Sequence, residues 1–242
     1  MTIWYVTTGI SLIEKSRCWQ GAGSPDFSQF DQSVNSAVFE VSPQTRLLRQ
    51  WLQAGLDRVK GGAETAADFV ASHFRRDCFC GAKQSLLPAE LATLWALSDT
   101  KEIKPGDQVQ FIGGASNWHL AKVLQSAARL LLPEVQVDCI GPYKLDPVDD
   151  SEFDAGIDKL WRCIEPNLAQ ARFVLTGGYK AILLALAFRL ADSYDIQTGT
   201  PIIFYTHETP GSALIPLGRG VGTARTNRNV PGTRPPLVAS LG

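Results

Sequence analysis

Short strands and amphipathic helices alternate along the second half of the chain. Segments rich in β-branched and aromatic residues, typical of strands, lie at 108–112, 134–140, 172–175 and 201–206, and helical periodicity separates them. A first strand is predicted at 2–8. Strands that alternate with helices of this length form βαβ units. The sequence therefore predicts a Rossmann-like α/β fold, with a mainly parallel sheet and helices on both faces.

The chain divides into a folded domain at 1–208 and a tail at 209–242. Its 242 residues suffice for one large domain, or for one domain with an appendage. Before the alternating region, apolar spacing predicts helices at 44–60, 63–73 and 88–97. Beyond residue 208, glycine, proline and arginine predominate and no acidic residue occurs. This composition indicates a poorly ordered or loosely docked basic tail.

The composition is that of a globular protein with no preference for long polyanions. Hydrophobic residues make up 45% and charged residues 19%, which excludes a disordered chain. The net charge of −1 argues against non-specific binding of long nucleic acid or of an anionic membrane, but is compatible with a small cationic site. No signal peptide or membrane-spanning segment is predicted. Five scattered cysteines indicate reduced thiols in a cytosolic protein.

Metal-binding patterns are weak in this sequence. Cys78 and Cys80 with His73 lack the spacing of a zinc site, so plain thiols are favoured. The acidic stretch at 146–158 is interpreted as a solvated loop followed by a helix start, because no ligand spacing is evident. His73 and His119 are interpreted as structural histidines. His207 lies at the end of a predicted strand, on the predicted ligand edge, and is therefore kept as a candidate site residue.

Small polar residues follow three of the predicted strands. Carboxyl ends of parallel strands share one edge of a sheet, where ligands bind. Glycines there allow close approach to a ligand, and amide groups at a helix start attract anions. Each loop alone is also a common structural turn, but three at one edge favour a phosphate-binding site. The candidate binding residues are Thr8, Gly9, Ile10, Gly113, Gly114, Ala115, Ser116, Asn117, Thr176, Gly177, Gly178 and Tyr179.

Lys180 is the strongest single candidate for a functional cation. It begins an otherwise largely apolar helix, where a positive charge opposes the helix dipole. Neither a Walker motif nor a dinucleotide fingerprint lies between a strand and a helix, and 218–222 has the glycines without those flanking elements. This absence disfavours, but leaves open, a nucleotide-dependent Rossmann enzyme of metabolism.

The strand ends resemble those of CARF domains of type III CRISPR systems. The first carries Thr-x-Gly-x-Ser at 7–11, and a later one carries Thr-Gly-Gly-Tyr-Lys at 176–180 before an apolar helix. His207-Glu208 ends a further strand, and Pro-Ala-Glu-Leu at 88–91 is similar to a segment of these domains. The resemblance spans about residues 1 to 208, and its most specific part is 176–180 with the following helix and His207-Glu208.

The resemblance implies a homodimer that binds cyclic oligoadenylate, most often cyclic tetra-adenylate, in a two-fold symmetric cleft formed by these loops. Some members only sense this ligand, and others, the ring nucleases, cleave it. We expect no fused effector domain, because only the 209–242 tail follows and no histidine has an arginine five residues before it. A stand-alone ring nuclease is therefore expected. The alternative is a non-catalytic sensor that regulates a separate effector or transcription.

A ring nuclease of this kind needs no metal or other cofactor. The 2′-OH of the ligand attacks its adjacent phosphate, which yields linear di-adenylate with a 2′,3′-cyclic phosphate. The protein holds the reacting groups in line and stabilises the added negative charge. The resemblance assigns charge stabilisation to Lys180 and positioning of the 2′-OH or the phosphate to Ser11. Arg75, Arg76 or Lys83 are candidates for a second cation.

Overall fold

The structure is a computed structural model that describes residues 1–9, 43–74, 88–146, 149–176, 180–192, 202–206 and 214–217. Its strands are β1 Ile3–Thr7, β2 Gln108–Gly114, β3 Gln136–Tyr143, β4 Ala171–Val174, β5 Ile202–Thr206 and β6 Leu214–Leu217. Its helices are α1 Pro43–Lys60, α2 Ala66–His73, α3 Ala89–Asp99, α4 Trp118–Leu131, α5 Asp150–Ile164 and α6 Lys180–Asp192, with a 3-10 helix at Glu165–Gln170. No helix among these residues combines the length and the apolar character that a bilayer crossing requires.

The strands form one sheet in the order β3-β2-β1-β4-β5-β6, in which the first five are parallel and β6 is antiparallel. The predicted Rossmann-like α/β fold is therefore confirmed. From β1 the chain moves outward to β2 and β3, and then returns to the other side of β1 to form β4. The strand order thus reverses between β1 and β4. Open α/β sheets bind ligands in the crevice beyond the carboxyl ends of such strands.

Strand β1 is buried on both faces, as a central parallel strand requires. Trp4 and Val6 belong to the core on one face, which α1, α2, α3 and α4 cover. Ile3 and Tyr5 belong to the core on the opposite face, which α5 and α6 cover. Because successive strand residues point to opposite faces, this one strand anchors both layers of helices.

The acidic stretch begins helix α5, as the sequence predicts. The Asp149 carboxylate accepts a hydrogen bond from the Glu152 amide at 3.0 Å and so caps the helix. This bond is the main reason that the pKa of Asp149 lies below its ordinary value. The carboxylate therefore serves a structural purpose at the helix start.

Strand β3 runs beyond its predicted end. The strand predicted at 134–140 ends too early, because β3 continues through Gly141 and Pro142 to Tyr143. Ile112 pairs with Ile140 and Gly114 pairs with Tyr143, so β3 carries one more residue than β2 between these pairs. This β-bulge places Gly141 at a φ of +127°, which favours glycine. The two residues that usually interrupt a strand are accommodated by the bulge.

Part of the predicted tail belongs to the sheet. Leu214–Leu217 pairs antiparallel with β5, with Thr206 opposite Leu214 and Ile203 opposite Leu217. The interpretation of everything after residue 208 as a loosely docked tail is wrong for these four residues. Pro216 obscured the strand in the sequence, but an edge strand tolerates proline. The rest of 209–242 lies outside the described residues.

Candidate functional site

The carboxyl end of β1 is held by three elements of the protein. The amide of Thr8 donates a hydrogen bond to the Ile112 carbonyl of β2 at 3.3 Å. The Thr8 carbonyl accepts one from Nδ2 of Asn117 at 3.1 Å, just before α4. The amide of Gly9 donates to Oε1 of Glu90 at 2.8 Å, in the first turn of α3. The backbone at Thr8 and Gly9 is therefore fixed before any ligand arrives.

Two buried hydroxyl groups lie at the point where the strand order reverses. Thr8 is only 2% exposed and Thr176 only 8%. Neither Oγ1 atom has a hydrogen-bond partner in the described part of the chain. Val6 pairs with Val174, so Thr8 and Thr176 follow at equivalent positions of β1 and β4. We call these groups the open hydroxyl pair.

The open hydroxyl pair is unusual for a protein interior. Buried polar side chains nearly always form hydrogen bonds, and leaving one unsatisfied costs about 1–3 kcal/mol. Across the described ranges, Arg49 Nε is the one other buried side-chain polar atom without a partner. Two of these three atoms thus belong to residues that follow neighbouring strands at one edge of the sheet. A polar ligand bound there would supply the missing partners.

Glu90 is a site residue that sequence reasoning missed as such. It is fully buried, and its carboxylate accepts the Gly9 amide. Glutamate is almost never fully buried unless it is paired. The signal in the sequence is that Glu90 is the single charged residue in the otherwise apolar and small-residue run at 89–97. This lone carboxylate could have been singled out as a buried group with a specific partner.

The loop after β2 is occupied by contacts within the protein. The Gly114 amide donates to Oδ1 of Asn117 at 2.7 Å, and the Ala115 amide donates to the Tyr143 carbonyl at 2.7 Å. The Ser116 hydroxyl donates to the Asp146 carboxylate at 2.6 Å. Two amides of this loop and the Ser116 hydroxyl are therefore occupied by partners within the protein.

Gly113 has a packing role in this loop. A Cβ atom at this position would collide with the ring of Trp118, which covers the end of β2. The close approach of the indole explains the glycine without any ligand.

Lys180 is the first residue of α6, as predicted. It follows β4 and Thr176 by a few residues, so the helix begins beside the point of strand-order reversal. Several other predicted residues lie outside the described ranges. These are Ile10, Ser11, Gly177, Gly178, Tyr179, His207, Glu208, Arg75, Arg76, Lys83, Cys78 and Cys80.

The two described histidines have structural environments. Nδ1 of His73 lies 2.8 Å from the Phe69 carbonyl, and its ring stacks on the Phe69 ring with centroids 4.5 Å apart. Burial, with a smaller effect of the nearby Lys60 charge, lowers the pKa of His119. A histidine held neutral in this way is suited to packing. Within the described residues, no group of three His, Cys, Asp or Glu side chains is arranged to hold a metal ion.

Comparison with known proteins gives no family for this chain. A scan of protein-family models finds no model that matches it, and a search of curated proteins finds no match either. What the protein does is therefore inferred from its fold, from the residues at the β1–β4 edge and from the motifs in which those residues stand.

Proposed function

We propose that the protein binds a cyclic oligoadenylate, with cyclic tetra-adenylate as the first candidate, at the β1–β4 edge and cleaves it. The observation that carries this proposal is the open hydroxyl pair at the point of strand-order reversal. Thr8 lies in the Thr-x-Gly-x-Ser segment, and Thr176 begins the Thr-Gly-Gly-Tyr-Lys segment. Thr8 and Thr176, one from each of the segments that resemble CARF domains, thus follow neighbouring strands at one edge of the sheet. Phosphate and ribose oxygens of a nucleotide ring can accept hydrogen bonds from both hydroxyls.

The proposed reaction is transesterification within the ligand. The 2′-oxygen loses its proton and bonds to the adjacent phosphorus, and the bond from phosphorus to the 5′-oxygen breaks. The 5′-oxygen then takes up a proton, so the products are linear di-adenylates with 2′,3′-cyclic phosphates. Because the nucleophile belongs to the ligand, the protein has to align it and stabilise negative charge. We assign the charge stabilisation to Lys180 and the alignment to Ser11.

A homodimer is part of this proposal. Leu184 and Phe188, one turn apart on α6, are 59% and 69% exposed. Exposed apolar residues adjacent on one helix are typical of an interface. A second copy packed there would bring two α6 helices, each begun by Lys180, around one ring-shaped ligand. Light scattering should give the mass of a dimer, and Phe188→Glu should give that of a monomer.

The decisive experiment is incubation of the purified protein with cyclic tetra-adenylate in the presence of EDTA, followed by chromatography and mass spectrometry. We expect linear di-adenylate with a 2′,3′-cyclic phosphate. Lys180→Ala should abolish cleavage, whereas Lys159→Ala, which changes an exposed lysine of α5, should not. Intact ligand after stoichiometric incubation would contradict the nuclease. Tight binding without turnover would instead support the sensor, and full activity of Lys180→Ala would contradict the role given to Lys180.

A further inference from the structure

Buried carboxylates hold β1 at both of its ends. At the amino end, Asp107 is 5% exposed and accepts hydrogen bonds from the Thr2 amide at 2.7 Å and from Nε1 of Trp4 at 3.3 Å. At the carboxyl end, the fully buried Glu90 accepts the Gly9 amide at 2.8 Å. The two carboxylates use the same chemistry, but only Glu90 lies at the edge that carries the open hydroxyl pair.

Glu90 and Asn117 form hydrogen bonds to opposite sides of one peptide group. The carbonyl of the Thr8–Gly9 peptide accepts from Asn117, and the amide of the same peptide donates to Glu90. A planar peptide held at both its oxygen and its nitrogen cannot rotate. Glycine at position 9 would otherwise allow that rotation, because it has the widest choice of φ.

We propose that Glu90 is a positioning residue of the ligand site, an inference that rests on the proposed function. It holds the Gly9 amide, and through the fixed peptide it keeps the Thr8 hydroxyl in place to meet the ligand. The Gly9 amide is thereby occupied within the protein and is not offered to the ligand, so the effect of Glu90 that we propose passes through the backbone of β1.

Two substitutions separate the hydrogen bond from the charge. Glu90→Asp keeps the carboxylate but is one methylene shorter, so it loses reach to Gly9. Glu90→Gln keeps the reach and an acceptor oxygen but removes the charge. We expect Glu90→Asp to weaken binding of cyclic tetra-adenylate about ten-fold or more, and Glu90→Gln to weaken it about three-fold or less. Because the active protein is proposed to cleave the ligand, isothermal calorimetry gives Kd with every variant in the Lys180→Ala background, and thermal unfolding without ligand gives Tm.

Asp107→Asn is the matched control. It alters the buried carboxylate at the other end of the same strand, so it should lower Tm and leave Kd unchanged. A structural role for Glu90 alone would make its variants behave like Asp107→Asn. The ratio of the loss in affinity to the loss in Tm therefore distinguishes positioning from stability.

Each outcome decides the question. Wild-type protein that fails to bind cyclic tetra-adenylate would overturn the proposed function and the role of Glu90 together. Wild-type binding with an unchanged Kd in Glu90→Asp would overturn only the role of Glu90. If Glu90→Asp does not fold, Glu90→Met, which keeps the length of the side chain but has no acceptor oxygen, takes its place: a ten-fold loss of affinity supports the role and an unchanged Kd overturns it. A ten-fold loss in Glu90→Gln at unchanged Tm would also overturn the role, because glutamine keeps an acceptor for the Gly9 amide.

Discussion

The buried threonines among the described residues fall into two groups. Thr7 donates its hydroxyl to the Val174 carbonyl at 3.4 Å, and Thr93 donates to the Ala89 carbonyl at 2.8 Å, as buried hydroxyls normally do. Thr8 and Thr176, the open hydroxyl pair, depart from this rule at one place. Residues that break a local rule at a strand end are expected at functional sites, where the missing partner comes from a ligand.

Replacing Thr8 by valine tests this interpretation, because valine has nearly the same shape and no hydroxyl. Without ligand, Thr8→Val should leave the free energy of unfolding unchanged or raise it by about 1 kcal/mol, since an unsatisfied polar group is removed. Affinity for cyclic tetra-adenylate should fall about five-fold or more. Urea unfolding and calorimetry measure the two effects.

Thr93→Val provides the comparison for that variant. It should lower the free energy of unfolding by about 1 kcal/mol, because a formed hydrogen bond is lost, and leave affinity intact. Wild-type affinity in Thr8→Val would show that the hydroxyl does not meet the ligand. A loss of stability in Thr8→Val would show that the hydroxyl has a partner within the protein.

Helix α5 packs closely against the chain that leaves β3. Gly156 lies on the buried side of α5, and a Cβ there would overlap the carbonyl of Lys144. A collision with backbone cannot be relieved by turning a side chain, so the helix or the connection would have to move. The glycine therefore sets the distance between α5 and the end of β3.

Gly156→Ala should consequently destabilise the protein despite the higher helix propensity of alanine. We expect a loss of about 2 kcal/mol or more in the free energy of unfolding, which is the usual effect of overpacking. Asp154→Ala, on the exposed side of the same helix, should change it by less than about 0.5 kcal/mol. Denaturant unfolding of both variants provides the test. Equal stability of Gly156→Ala and wild type would mean that the contact relaxes without penalty.

Most elements of the fold follow from local sequence, but their contacts do not. The helices predicted at 44–60, 63–73 and 88–97 correspond to α1, α2 and α3 within a few residues. The extension of β3 past Gly141 and the strand β6 depend on neighbouring strands and leave little trace in local composition. That the carboxyl ends of β1, β2 and β4 lie at one edge of the sheet could be predicted, because parallel strands end at the same edge. The bond between Gly9 and Glu90 joins residues 81 positions apart, and no periodicity reveals such a contact.

Several groups buried in the protein ionise only at high pH. Burial raises the pKa of the Cys139 thiol from its ordinary value of 9.0 to about 12. The thiol lies 3.3 Å from the Ala121 carbonyl, toward which it donates. Burial likewise raises the pKa values of Tyr5 and Tyr143 above the ordinary value of 10.0. In each case the folded state favours the protonated, neutral group.

The protein should therefore lose stability in alkaline solution. Below about pH 9 the Cys139 thiol is protonated in the folded and the unfolded state, and its contribution to the free energy of unfolding is fully present. Between about pH 9 and 12 the thiol of the unfolded chain loses its proton while that of the folded protein keeps it, so rising pH increasingly favours unfolding. Raising the pH from about 7.5 to about 10.5 should remove about 1–2 kcal/mol through Cys139 alone. Cys139→Ala should flatten this pH dependence, measured by urea unfolding. An equal slope in Cys139→Ala and wild type would assign the alkaline loss to the tyrosines.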